Sequence, residues 1–317
     1  MRAFRFVVSV VFVGALGMGL GAEAEFSFSE AEGKLSLEEN GKPVFVYNFG
    51  MVDPPAGVDV KYRRSGYLHP VYGVDGQIVT QDFPEDHYHH RGVFWGWPHA
   101  GANGREMNNW EMTSAKQYFE GWGARETSRK GASFTAQNRW AFHDAPEVAI
   151  VRETVTITAH RAWRGSRSID FRLRFKNVSG APFTFLGATN KGYGGFNYRP
   201  DPVHQPLHFY SALGPQPQDE DSLRLDSPWV DLSWDARGDT GAAGVAIFQH
   251  PGNPDYPHDG WILRHYGFNG AAWPHLNEYT LPAGETLELQ YRLVVHRGGA
   301  EDARLPKQFR KFVARAK

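Results

Sequence analysis

In the segment Ile169–Lys176 every odd-numbered residue is apolar and every even-numbered one is charged. Side chains alternate between faces along an extended backbone, so a period of two describes a strand with one dry face and one wet face. Leu287–Leu293 repeats the pattern, and less regular versions occur at Phe26–Phe28, Val44–Phe49, Val148–Thr158, Phe183–Leu186 and Gly244–Phe248. Turn-forming clusters lie between them, among them Asp53-Pro54-Pro55, Asp75-Gly76, Ser179-Gly180 and Pro251-Gly252-Asn253-Pro254. A content of 35 Gly, 20 Pro and 14% aromatic residues agrees with turn-rich β-structure and not with a helix bundle. The expected fold is one all-β domain over residues 25–317, built from two packed antiparallel sheets. One short helix is expected at Leu305–Ala316, with Phe309, Phe312 and Val313 opposite Lys307, Arg310, Lys311 and Arg315. Its expected place is the edge of the sandwich.

Three global features narrow the function. The chain has 34 Lys+Arg against 35 Asp+Glu, a balance without the basic excess that a nucleic-acid partner requires. It has no cysteine, which excludes disulfides, thiolate metal sites and a Cys nucleophile. At the N-terminus Arg2 and Arg5 precede an apolar run from Phe6 to Leu20, followed by Ala22-Glu23-Ala24. That order matches a secretory signal peptide over residues 1–24. The expected mature protein is therefore periplasmic or secreted, with no integral membrane span after signal removal.

The densest polar constellation is Asp82–Gly92, where His87, His89 and His90 are flanked by acids and by Arg91. On an extended backbone His87 and His89 share a face and His90 points away, unless a turn intervenes. Two chemistries are open. Either a histidine acts as acid or base with Asp86 orienting it and Arg91 holding an oxygen, or His87 and His89 chelate a divalent metal with a nearby acid. Aromatics crowd the flanks, with His69 upstream and Trp95 and Trp97 downstream, and such rings provide platforms for the C–H faces of sugars. A second cluster is Thr189–Phe196, where Lys191 and Tyr193 are acid/base or hydroxyl-binding candidates; a tight turn or bulge accounts for its glycines equally well. The third runs from Phe248 through His250 to Trp261 and Arg264. No zinc-protease helix and no nucleophile elbow is present.

Taken together, Arg64–Tyr72, Asp86–Gly92, Lys191–Gly195, Phe248–Pro254 and Tyr291–Arg297 resemble the bacterial PmoA-like family, catalogued as methane oxygenase PmoA. Tyr88 stands where that family's loop usually has proline. The resemblance implies a galactose-mutarotase-like supersandwich that binds or transforms carbohydrates. On it we expect an exported enzyme using His-based acid/base chemistry on a sugar or glycoside, as hydrolase, lyase or epimerase. The expected catalytic residues are His87, His89, His90, Asp86, Lys191 and His250. The expected substrate contacts are His69, Arg91, Trp95, Trp97, Tyr193 and Arg264. No cofactor is expected, with a divalent metal at His87 and His89 the alternative. The rival readings are a sugar-binding protein without catalysis and a metal-dependent oxygenase, as the family's catalogue name implies.

Overall fold

The computed structural model describes residues 25–217, 220–237 and 241–315. The expected signal peptide at 1–24 lies outside them.

The alternating segments form strands as their pattern dictates. In Ser166–Asn177 the apolar Ile169, Phe171, Leu173 and Phe175 are buried, while Arg172, Arg174 and Lys176 are exposed. The strand pairs antiparallel with Thr286–Arg297, bringing Phe171 opposite Tyr291 and Leu173 opposite Leu289. Such same-face apolar pairs fix the register, because a slip by one residue would move every one of them to the wet face. Turn chemistry closes the hairpins. Asn40-Gly41 links Lys34–Glu39 to Lys42–Asn48 with φ of 54° and 71°, the paired positive angles of a two-residue type I′ turn.

Among the described residues the strands assemble into two nine-stranded antiparallel sheets and one four-stranded sheet. The first large sheet runs from Phe26–Ala31 at one edge, through Tyr67–Val71, Val93–Gly96, Gly195–Tyr198 and Phe268–Ala271, to Ser222–Arg224 at the other. The second runs from Gly214–Pro215, through Trp229–Trp234, Ala243–Gln249, Thr286–Arg297, Ser166–Asn177 and Val151–His160, to Ala115–Ser128. Their facing sides share one hydrophobic core that includes Leu35, Trp95, Phe171, Phe196, Leu232 and Tyr291. This is the expected supersandwich.

The outer faces are covered differently. On the second sheet the helix Leu305–Arg315 lays Leu305, Phe309 and Phe312 on Trp229, Phe248 and Val294. Those partners belong to central strands, so the helix covers a sheet face and not the edge expected from sequence. On the first sheet, loops bury Tyr67, Phe94, Ile262 and Phe268 beneath Trp110. That second, smaller apolar layer is the floor of the candidate site.

The glycine cluster at 192–195 is explained by the chain's own close packing. The His275 ring lies against Gly192, where a Cβ would come within 2.0 Å of it. At Gly195 φ is +77° and a Cβ would sit 2.4 Å from the Ala271 carbonyl oxygen, on the neighbouring strand. Gly195→Ala therefore imposes both left-handed strain, about 1–3 kcal/mol, and a backbone clash. An unfolding free energy from urea titration lowered by at least that strain is expected; a variant as stable as the parent would show that the strand pair tolerates a side chain here.

Candidate functional site

The His-rich loop is not extended. His90 N–H donates to the His87 carbonyl at 2.8 Å and His87 N–H to the Pro84 carbonyl at 3.0 Å, so two successive turns curl the segment. The turns gather all three imidazoles: the intervening turn that would bring His90 round to the other two is present. His87 stacks on His90 at 4.6 Å and 5°, and His89 meets them edge-on at 5.6 and 4.5 Å. His90 is the buried member, packed against Phe94, Phe268 and Trp110. His87 is the outermost of the stack, covered in part by Tyr266 at 5.2 Å.

Two buried arginines build this loop. Arg91 has no exposed surface and donates to the carbonyls of Tyr88 at 2.9 Å, His90 at 3.3 Å and Tyr62. Its Nε lies 3.4 Å from Asp82, and its guanidinium sits 3.3 Å from the Phe83 ring centroid. The expected role of Arg91 in holding a substrate oxygen is not what this geometry offers: the fork is spent on backbone and closed to solvent. Arg199, which sequence reasoning missed, grips Asp86 with two bonds of 2.8 and 3.0 Å and reaches Gln81 at 3.1 Å. The signal for Arg199 was absent because it comes from another strand end, 113 residues away.

Electrostatics then separates the histidines. Burial, reinforced by His87 and the nearby arginines, depresses His89 to about 3. Burial and the other two imidazoles push His90 well below its ordinary value. Both are neutral at physiological pH and too weakly basic to take up a proton readily. Partial burial opposes ionisation of Asp86, but His87 and Arg199 outweigh it and hold the carboxyl below the usual range. Asp86 Oδ2 lies 3.0 Å from His87 Nδ1 without hydrogen-bond alignment, an ion-pair contact that a bound ligand could tighten.

The second cluster and part of the third converge on the same surface. Trp110 touches His89 and His90 at 5.9 Å and stacks on Tyr193 at 6.4 Å. Arg264 donates to the Tyr193 hydroxyl at 2.5 and 3.1 Å and pairs with Asp221 at 3.2 Å. Exposed Lys191 places its ammonium 5.9 Å from the Tyr193 ring. Trp110 and Tyr266, which carried no distinguishing motif, are the rings that join these parts.

The remaining expected residues lie elsewhere. Trp95 and Trp97 are fully buried in the core between the sheets, the first donating to Glu153 at 2.5 Å and the second to the Trp273 carbonyl at 2.8 Å, so neither is a sugar platform. Their indole N–H groups satisfy buried acceptors, as large aromatics in β cores commonly do. His69 contacts Thr80 at 3.0 Å at the base of the loop. His250 sits on the second sheet, 5.4 Å from Phe312, in a different cavity. The pair proposed for a divalent metal, His87 and His89, lies with ring centroids 5.6 Å apart and planes at 78°. Among the described residues no three His, Asp or Glu side chains are arranged to hold one.

An all-β supersandwich carrying an Asp–His pair and an aromatic patch on the outer face of one sheet defines the class. Residues 34–310 match the model of a family of unknown function (DUF6807), and the chain belongs to that family. The matching family is thus not described by the PmoA name, and no described helix is long and apolar enough to cross a membrane. No curated protein matches. Among solved structures the chain is similar to a mutant of heparan sulfate lyase HepC from Pedobacter heparinus, at 8% identity and TM-score 0.40 over 87% of this chain and 36% of that one. It is also similar to galactose 1-epimerase from Lactobacillus acidophilus, at 10% identity and TM-score 0.40 over 87% and 99% of the two chains. A GalM/aldose epimerase homologue from C. elegans gives 6% identity and TM-score 0.36 over 87% and 100%. The chain spans about a third of the lyase's length. At these scores no residue correspondence and no activity passes from them to this chain.

Proposed function

We propose that the protein is an exported carbohydrate-active enzyme in which His87 is the acid/base group and Asp86 its positioning residue. The observation that carries the reading is the arrangement around His87. A carboxylate anchored twice by buried Arg199 lies 3.0 Å from one ring nitrogen, and the ring remains partly open to solvent beside Tyr266. A carboxylate paired with an imidazole stabilises the imidazolium formed when the ring takes a proton, the element common to His-based general catalysis. His89 and His90, held neutral, serve as hydrogen-bonding and packing groups. Tyr266, Tyr193 and Trp110 supply flat faces, and Lys191 and Arg264 supply donors for hydroxyl oxygens. Proton transfer by such a pair serves hydrolase, lyase or epimerase chemistry.

A glycan panel assayed by NMR for both binding and product tests this. With a turned-over sugar in hand, His87→Ala is expected to lose about 10²–10⁴ of the rate while retaining affinity. Asp86→Asn should lose less, with the affinity again preserved. If His87→Ala keeps the parent rate, the assignment is wrong. The second reading is a binding module, and the neutral His89 and His90 favour it, since neither titrates where catalysis would need it. Saturable binding with no product from any binding sugar decides for that reading.

A further inference from the structure

On the outer face of the second sheet, under the end of the C-terminal helix, lies a cavity of about 350 Å³. That volume is within the range of small-molecule sites. Its floor is a row of outward residues on three adjacent strands: Thr156 and Thr158, then Asp170 and Arg172, then Gln290 and Arg292. Phe312 and Arg315 of the helix and His250 form its walls. Asp170 sits at the centre, taking bonds from Arg292 at 2.5 and 2.7 Å and contacting His160 at 2.6 Å. Burial opposes its ionisation, but these partners hold it below the usual carboxylate range, so it is charged.

The charge count around the cavity does not close. Arg172 and Arg174 share the single carboxylate Glu288, at 2.8 and 3.4 Å. Arg292 is matched by Asp170, and Arg315 lines the rim with no carboxylate of its own among the contacts described. Of the three guanidiniums that line the cavity, Arg172, Arg292 and Arg315, only Arg292 is matched by a carboxylate of the lining, Asp170. The rest of the lining is suited to hydroxyl groups. His250 Nδ1 accepts the Gly252 N–H at 3.0 Å, which leaves the Nε2 proton as a donor, and Thr158 and Gln290 add further polar atoms. Phe312, held 5.4 Å from His250 and 4.5 Å from Arg292, gives one apolar wall.

The geometry points to a second binding site, distinct from the His-loop surface, for a small hydroxylated carboxylate of sugar size, of which a uronic acid is the representative. The guanidinium surplus takes the carboxylate in the forked geometry arginine favours, and the threonines, Gln290 and His250 take hydroxyls. Phe312 covers one face of the ring.

Calorimetric titration of the mature protein with D-glucuronate, D-glucose and inorganic sulfate tests the site. Glucuronate is expected to bind saturably and glucose about tenfold more weakly or worse, since the charge-assisted bonds are lost. Arg172→Gln, at a half-exposed position, should fold normally and weaken glucuronate by about tenfold, and Thr158→Val should weaken it by a smaller factor. His87→Ala should leave this binding unchanged, so the outcome is independent of the proposed acid/base role. No saturable glucuronate binding, equal binding of glucose, or indifference to Arg172→Gln overturns the site. Sulfate competing as well as glucuronate also overturns it, by reducing the cavity to a simple anion hole.

Discussion

Arg91→Leu is expected to lower stability by about 3–5 kcal/mol, the cost of breaking a buried charged network by removing one member. The guanidinium reaches three backbone carbonyls and lies beside Asp82, and is itself closed completely to solvent. Leucine fills part of the volume but leaves those carbonyls without their donor, and leaves Asp82 with the Tyr67 hydroxyl at 2.9 Å. Arg91→Lys is not expected to rescue, because one ammonium cannot span carbonyls arranged around a planar fork. The loss should be local first. With the Tyr88 and His90 carbonyls released, the two turns open and the His87–His90 stack separates. His89 and His90 then become hydrated, so their imidazole proton resonances should titrate closer to the ordinary value of about 6.5. Urea midpoints and histidine NMR titrations of both variants check the two parts separately. Parent-like stability in Arg91→Lys would show that charge alone, and not the fork, holds the loop.

That expectation marks where sequence stopped being informative. The alternation in Ile169–Lys176 and Leu287–Leu293 was legible because burial of one face writes a period of two into a strand, and the structure pairs those very segments. The His loop was legible as a constellation because its polar residues are adjacent in sequence. The roles inside it were not. Arg91 and Arg199 are both basic and close to the same histidines, yet one is consumed by backbone and the other orients Asp86. Only the three-dimensional distribution of acceptors separates them. Trp95 and Trp97 misled for a related reason: a tryptophan near polar residues has the same letter whether it faces a ligand or donates to buried Glu153. Glu153 itself is silent in sequence, an acid in an alternating strand, although it is fully buried and accepts from Trp95, Gln117 and Asn138. His250 was grouped with the others by its position after a strand, and the strand proved to belong to the opposite sheet.

The protein is expected to be acid-labile well above the pH at which its carboxylates protonate. His89 and His258 are depressed by burial to about 3, and His90 lies well below its ordinary value for the same reason. In the unfolded chain all three titrate near 6.5. Between those limits the unfolded state binds protons that the native state refuses, so stability must fall as the pH falls. Each histidine held near 3 contributes about 1.4 kcal/mol per pH unit once the pH is well below 6.5, or about 3 kcal/mol per unit for His89 and His258 together, and His90 adds in the same direction. Against a total of about 5–15 kcal/mol, the several kcal/mol lost between about pH 6.5 and 4.5 are a large share of the stability. His296 acts with the opposite sign. Burial disfavours its charge, but Asp231 at 2.9 Å overcomes this and raises it. Its contribution is complete below the unfolded value and is lost as the pH rises through the folded one, so it does not oppose the acid limb. Urea midpoints at a series of pH values between about 7.5 and 4.5, the range the linkage requires, give the slope directly. His258→Gln removes one titrating group from a site where neither ring nitrogen has a hydrogen-bond partner. It should flatten the slope by about one proton, or ~1.4 kcal/mol per pH unit. A slope unchanged in that variant would mean that His258 is protonated in the native state, and that burial does not govern its titration.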